Sequence, residues 1–348
     1  MKIIFIILCL FLIACNNYRT NPFDAENIII SDFPRNDTIK GEKLNLEILG
    51  VNVLYVVDTF LIGFKASGID HFFEIYSLPN FQYLGKYISA GRGSNELITL
   101  QYKNQFQIKE NEITMWIADG AVNKCVLFNL SKSLKQGQAV FDTIVHTPYF
   151  DCYTYQNDST FHLFKFDKTN FKCAQYNSIQ HKIVAEQNLF KPLIPVPEMV
   201  DVLDLNFATD PDGKKYVIPM RHFNQINILS ADLKQKISVS LGEPIDIRKV
   251  INTPDSIRIF FYSSAVCTSD YIYALYINQP YKNWDRHDNN VEIQVLKYDG
   301  TPLERMIISE DIIFFAVDEK DKCIYGVNRD ENIFRYYFKE YYEHWKSM

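Results

Sequence analysis

The run FEIYSLPNFQYL at residues 73–84 decides the fold. An apolar stretch ends on Tyr76, passes through Leu78-Pro79-Asn80, where proline and asparagine favour a turn, and resumes as a second apolar stretch. Aligned on the aromatic or leucine that closes a strand before a turn, the same figure recurs as CVLFNLSKSLKQ (Phe128), CAQYNSIQHKIV (Tyr176), INILSADLKQKI (Leu229), QVLKYDGTPLER (Tyr298) and IFRYYFKEYY (Tyr337). Successive anchors lie 52, 48, 53, 69 and 39 residues apart. A period near 50 residues built from short strands is the signature of a propeller, because a four-stranded blade cannot bury both its faces alone. The spacing therefore predicts an all-β chain and a six-bladed β-propeller, and it disfavours the competing pair of two-sheet sandwiches.

Outward from the anchors the pattern holds. Asp210-Pro211-Asp212-Gly213 and Asp299-Gly300 mark further hairpins, and no long stretch keeps apolar residues at helical spacing. The gap of 69 contains NQPYKNWDRHDNN at residues 278–290, read as a long loop inserted in the fifth blade. The last unit offers only three strands, IIFFAV, KCIYGV and NIFRYYF. A ring must seal its ends or leave an edge bare. Residues 38–49 alternate Leu44, Leu46 and Ile48 with polar neighbours, so the ring is expected to be closed by an N-terminal strand.

Composition agrees. Of 348 residues, 47% are apolar, 22% charged and 15% aromatic, which excludes disorder and favours strands. A net charge of −6 argues against a nucleic-acid partner.

The chain opens with an address. Lys2 precedes an unbroken apolar run over residues 3–14, too short to span a bilayer but fitted to a signal peptide. Its end, Leu12-Ile13-Ala14-Cys15, resembles the bacterial lipobox, which implies cleavage before Cys15 and acylation of its thiol. Acyl chains hold a protein to a membrane at about 0.8 kcal/mol per buried methylene. The expected organisation is a lipoprotein signal peptide at 1–14, a lipidated tether at 15–36 and the propeller at 37–348. Asn16 stands where aspartate would retain a lipoprotein at the inner membrane, which favours the outer membrane of a Gram-negative envelope. Cys125, Cys152, Cys173, Cys267 and Cys323 remain in the body; an odd number precludes a full disulfide framework, and a Cys152–Cys173 bridge is the pairing left open.

Residues 91–130 read GRGSNELITLQ and then ENEITMWIADGAVNKCVLFNL. This resembles the NHL and TolB-like blade, in which a Gly-x-Gly loop precedes a strand pair, with Ile117, Asp119, Asn123 and Phe128 on the matching positions. With the lipobox, the short tether and the hairpin at residues 75–85, nearly the whole chain resembles the TolB-like six-bladed propeller lipoproteins. Ser94 and Leu97 depart from the proline and phenylalanine usual in that loop. The resemblance implies a fold and names no reaction.

Standard hydrolase, zincin and nucleotide-binding motifs are absent, and the histidines are scattered singly, so no cofactor and no metal site is expected. Asp210-Pro-Asp-Gly lacks the remaining ligands of a calcium loop and reads as a turn. Three groups are candidate binding residues. Arg92 and Glu96 flank the glycine loop, as ligand contacts or as a clamp between blades. Arg221 and His222 follow an inner-strand candidate, where they would line the channel. Tyr281, Trp284, Arg286 and His287 mix aromatic and cationic groups in the insertion. Asp58 and Asp119 are read as equivalent turn-holding residues.

The expected function is a non-enzymatic binding or scaffold module for an envelope protein or a glycan. The alternative is a metal-dependent lactonase-like or glycan-cleaving propeller, using carboxylates such as Asp58, Asp119 and Glu96. Converging carboxylates, amides or histidines on the axis would favour the enzyme, and aromatics with hydroxyls would favour binding.

Overall fold

The computed structural model describes residues 23, 25–46, 48, 50–66, 70–167, 170–190, 202–203, 206–283 and 290–338. Six sheets of four or five strands make six blades of a β-propeller. Their inner strands, in chain order, are Val53–Val57, Gln101–Lys109, Cys152–Asn157, Ala208–Thr209, Ile259–Cys267 and Ile312–Asp318. Each blade then continues outward through antiparallel neighbours. All six anchors fall at the end of the third strand of their blade, which is why one aromatic or leucine recurs per unit. In blades one to four that position is buried against the preceding blade, with Tyr76 6% and Phe128, Tyr176 and Leu229 at most 3% exposed, whereas Tyr337 in blade six is exposed.

Buried apolar residues form six clusters, one at each seam between blades. The second and third strands pack on both faces, so they carry continuous apolar runs rather than strict alternation; Gln225–Ser230 is buried along nearly its whole length. Polar side chains button the seams. Tyr153 Oη donates to the Trp116 carbonyl at 2.6 Å, and Tyr55 Oη to the Tyr102 carbonyl at 3.2 Å. Gln105, buried between blades two and three, donates from Nε2 to the Tyr155 carbonyl at 2.8 Å, while its Oε1 accepts from the Tyr155 N–H at 2.9 Å.

The N-terminal segment runs round the outside of three blades. Strand β1 (Glu26–Ile30) pairs in parallel with the outer strand of blade four, and β2 (Asn36–Ile39) with that of blade five. Strand β3 (Glu42–Lys43) pairs antiparallel with Ile333–Tyr337 of blade six. Ahead of them Phe23 bridges to Phe190, their rings edge to face at 5.4 Å, in the seam of blades three and four. Part of the segment read as a tether is thus strand. Of residues 38–49 only Glu42–Lys43 joins the last sheet, although Leu44 and Ile48 are buried in the seam of blades six and one as their alternation requires.

Three other readings are revised. Seventeen residues, 242–258, separate blade four from blade five and include a short helix, α1 (Ile247–Ile251), so the long gap is not explained by the insertion alone; residues 278–280 belong to the strand Tyr271–Pro280. Cys152 and Cys173 both pair with Phe164, on opposite sides, so a whole strand lies between them and no bridge can form. Asp58 follows the inner strand of blade one whereas Asp119 ends the second strand of blade two, so they are not equivalent; the counterpart of Asp58 is Asp318 in blade six.

Candidate functional site

The sequence-derived candidates do not converge. Glu96 Oε2 accepts from the Gly93 N–H at 2.8 Å, and a Cβ on Gly91 would lie 2.0 Å from the same oxygen, so the carboxylate is folded onto its own loop. It neither clamps two blades nor faces the axis, and Arg92 beside it is exposed. Arg221 and His222 sit at the seam of blades four and five. The Arg221 guanidinium lies 5.3 Å from the Phe260 ring centroid, and His222 Nδ1 is 3.2 Å from the Ile259 carbonyl oxygen. They pack one blade on the next and line no channel. Tyr281, half exposed, opens a 3₁₀ turn, Tyr281–Asn283. Cys15, Trp284, Arg286 and His287 lie outside the described residues.

Asp119, a second carboxylate weighed for a metal, is likewise spent on its own turn. Asp119 is fully buried and accepts from the N–H groups of Ile98, Thr99 and Ala121 and from the Thr99 hydroxyl, at 2.7 to 3.2 Å. It fixes the entry of blade two, as a turn-holding residue should. Among the described residues no group of three His, Cys, Asp or Glu is placed to hold a metal ion. Asp210 Oδ1 accepts from the Lys215 N–H at 2.7 Å and Gly213 takes a positive φ of 70°, an ordinary turn.

What does converge is the axis. The inner strands of blades one, two, four, five and six enclose a cavity of about 120 Å³. Blade three is absent from its wall because the inner strand of blade two also meets that of blade four. Tyr55, Phe207, Phe314 and Phe315 line it with small apolar residues; among the described residues Lys103 is the one charged residue of the wall, and the polar remainder comprises Tyr102, Asn104, Asn206, Thr209, Ser264 and Cys267.

Three of these inner strands are irregular where they face the cavity. In blade two Met115 pairs with Phe106 but Ile117 with Tyr102, so residues 103–105 bulge, and Asn104 takes a φ of 55°. In blade five the register shifts on both sides of Tyr262, and in blade six between Ile312 and Phe314. Bulges re-aim side chains and interrupt pairing, and they gather beside sites. Lys103 Nζ reaches the Phe207 carbonyl at 3.5 Å, and the Asn206 amide donates to the Ser263 carbonyl. Asn104 Oδ1, Ser264 Oγ and Tyr102 Oη are buried and have no hydrogen-bond partner. Burial, then the neighbouring Tyr55, pushes the Tyr102 phenol well up, so it stays a neutral hydroxyl.

A second exposed feature lies on the rim. Strands β1 and β2 lie over the fourth strands of blades four and five, and Glu96–Leu97 over that of blade one, while in blade six β3 is itself the fourth and end strand. Phe141–His146 and Lys182–Asn188 are end strands in blades two and three, with no strand beside them among the described residues. Lys182–Asn188 is exposed at every position. Ile144, Tyr149, Ile179, Ile183 and Val184, all 39% or more exposed, belong to this sector.

Six radial four-stranded units around an axial cavity define a six-bladed propeller. The chain belongs to the TolB-like 6-blade propeller-like family, whose sequence profile matches residues 53–320. No curated protein matches its sequence. Among solved structures it is similar to a member of the DUF4221 family from Bacteroides vulgatus, with TM-score 0.50, 12% identity, and 86% of this chain and 95% of that one covered. It is also similar to a protein given as exported from Bacteroides fragilis, with TM-score 0.48, 11% identity, and 90% and 98% covered.

Proposed function

We propose that this propeller is a binding module of the bacterial cell envelope, held to the outer membrane by lipid on Cys15, and that it docks a partner protein along the outer edges of blades two and three. The observation that carries the reading is the contrast between blades: among the described residues blades one, four and five have a fifth strand laid over the fourth and blade six ends on the two-residue, polar β3, whereas the end strands of blades two and three carry exposed apolar side chains at Ile144, Ile183 and Val184. An end strand with open N–H and C=O groups accepts another strand, and apolar side chains beside it supply affinity. The family and the lipobox support the envelope setting.

A glycan partner is less well supported. The groove between blades two and three holds Trp116 and Tyr155 among amides, which is sugar-binding chemistry, but the two rings stack on each other at 5.2 Å and are nearly buried. Neither ring offers an open face to a sugar.

Crosslinking and pull-down from the native envelope test the reading, with wild type, Cys15→Ala, and Ile144→Lys/Val184→Lys compared in parallel. One envelope protein recovered with wild type and lost with the edge variant is the expected result. Equal recovery with the edge variant overturns the docking surface, and equal recovery and membrane retention with Cys15→Ala overturns the anchor.

A further inference from the structure

The axial cavity is a site with an unfilled chemistry. Buried polar groups in folded proteins find partners in all but a few cases, and each exception calls for an explanation. Here Asn104 and Ser264, from opposite parts of the ring, blades two and five, both line one cavity, and the Oδ1 of one and the Oγ of the other are buried without a hydrogen-bond partner. Each sits in a strand whose register is broken at that place. A regular strand would have saved the strain of a left-handed Asn104. These features have a common cause if the wall is built around a ligand.

The groups present define that ligand. Among the described residues Lys103 brings the one charge to the wall and no carboxylate or imidazole lines it, so the complement these residues offer is to an anion. Asn104 Oδ1 is an acceptor and needs an N–H or O–H from the ligand. Ser264 can serve either. The apolar remainder, with Val53, Ala265 and Phe314, fits a short carbon skeleton. A volume of about 120 Å³ is somewhat less than that of the engineered apolar cavity that takes benzene, which limits the ligand to about six non-hydrogen atoms.

We propose that the axial cavity binds a small carboxylate bearing a hydroxyl or amino group, its carboxylate on Lys103 and Ser264 and its donor on Asn104. This is independent of the edge-docking reading, since the two sites lie on different surfaces and neither needs the other.

Calorimetric titration of the purified full chain with lactate and alanine tests it, with propionate as the probe lacking the donor and ethanolamine as the probe lacking the carboxylate. Saturable binding of lactate or alanine, about tenfold weaker binding of propionate and none of ethanolamine are expected, a hydrogen bond to Asn104 being the difference. Lys103→Met should abolish binding of every carboxylate. Asn104→Gly, which tolerates the same backbone, should bring lactate down to the level of propionate. Ser264→Ala should weaken binding while leaving the ligand-free protein at least as stable, because it removes an unpartnered hydroxyl. No saturable heat from lactate or alanine at about 10 mM, well above the millimolar affinity such small contacts can give, overturns the proposal. Ethanolamine binding as well as lactate, or lactate binding unchanged in Lys103→Met, overturns it too.

Discussion

Replacing Gln105 by leucine should loosen the seam between blades two and three by an amount the structure lets one work out. The side chain is 4% exposed and its amide faces the main chain of Tyr155 in both directions. Leucine has nearly the same volume, so no cavity arises and the change is confined to hydrogen bonding. The Tyr155 N–H then has no partner and is buried, at about 1–3 kcal/mol. The Tyr155 carbonyl keeps a bond from Gln156 Nε2 at 3.3 Å, so it loses only an ordinary bond, about 1 kcal/mol. The expected loss is about 2–4 kcal/mol, a large fraction of the stability of an ordinary domain. Urea unfolding followed by tryptophan fluorescence is the assay, since Trp116 stacks on Tyr155. Gln187→Leu, on the exposed edge of blade three, is the control and should shift stability by no more than about 0.5 kcal/mol. If Gln105→Leu behaves like that control, the buried amide is not what joins the two blades.

Gly213→Ala should cost more than Gly242→Ala: both take φ near 70°, but a Cβ on Gly213 would lie 2.5 Å from the Tyr155 carbonyl oxygen and one on Gly242 would meet nothing within 4 Å. Equal losses in thermal unfolding would refute the close approach. Burial lowers His162 to about 4, so as pH falls from about 6.5 the unfolded chain takes up the proton first, and stability drops by up to about 1.4 kcal/mol per pH unit until the folded pKa is reached. His162→Gln should therefore lose less stability than wild type between pH 7 and pH 5, and parallel pH profiles would argue against a buried neutral imidazole. Thiol labelling of the native protein should modify Cys152 first, because Cys125, Cys173, Cys267 and Cys323 are buried and burial raises their thiols. Unfolding should then release all five, and a missing Cys152–Cys173 pair of thiols would contradict the strand between them.

The blades were legible because the seam demands the same thing in blade after blade. A residue at the end of the third strand fills the space beside the preceding blade, so Tyr76, Phe128, Tyr176, Leu229 and Tyr298 recur once per unit in the seams, while Tyr337 of the last blade holds the same strand position but is exposed. Strand β1 was not legible for the opposite reason. ENIII is short and flanked by polar residues, and its partner lies more than 200 residues away. Charged candidates misled for a further reason: Glu96, Arg221 and His222 are needed to finish a loop and a seam, and sequence does not distinguish that use from binding a ligand. The cavity residues left one trace. Lys103-Asn104-Gln105 is a run of three polar residues between Tyr102 and Phe106, which interrupts alternation where the strand bulges.

The wrapped N-terminal segment also fixes an order of events as the chain is made. Residues 26–43 emerge first, yet β1 can dock only after residue 241 exists, β2 only after residue 308 and β3 only after residue 335. The earliest part of the polypeptide is therefore among the last to be secured, and contacts of such sequence separation make folding slow. A chain stopped before blade six would hold five complete units, but β3 would have nowhere to pair and the outer edges beneath it would never be finished. Such fragments would expose strand edges that proteases and chaperones recognise, so the beginning of the chain reports whether its end was delivered.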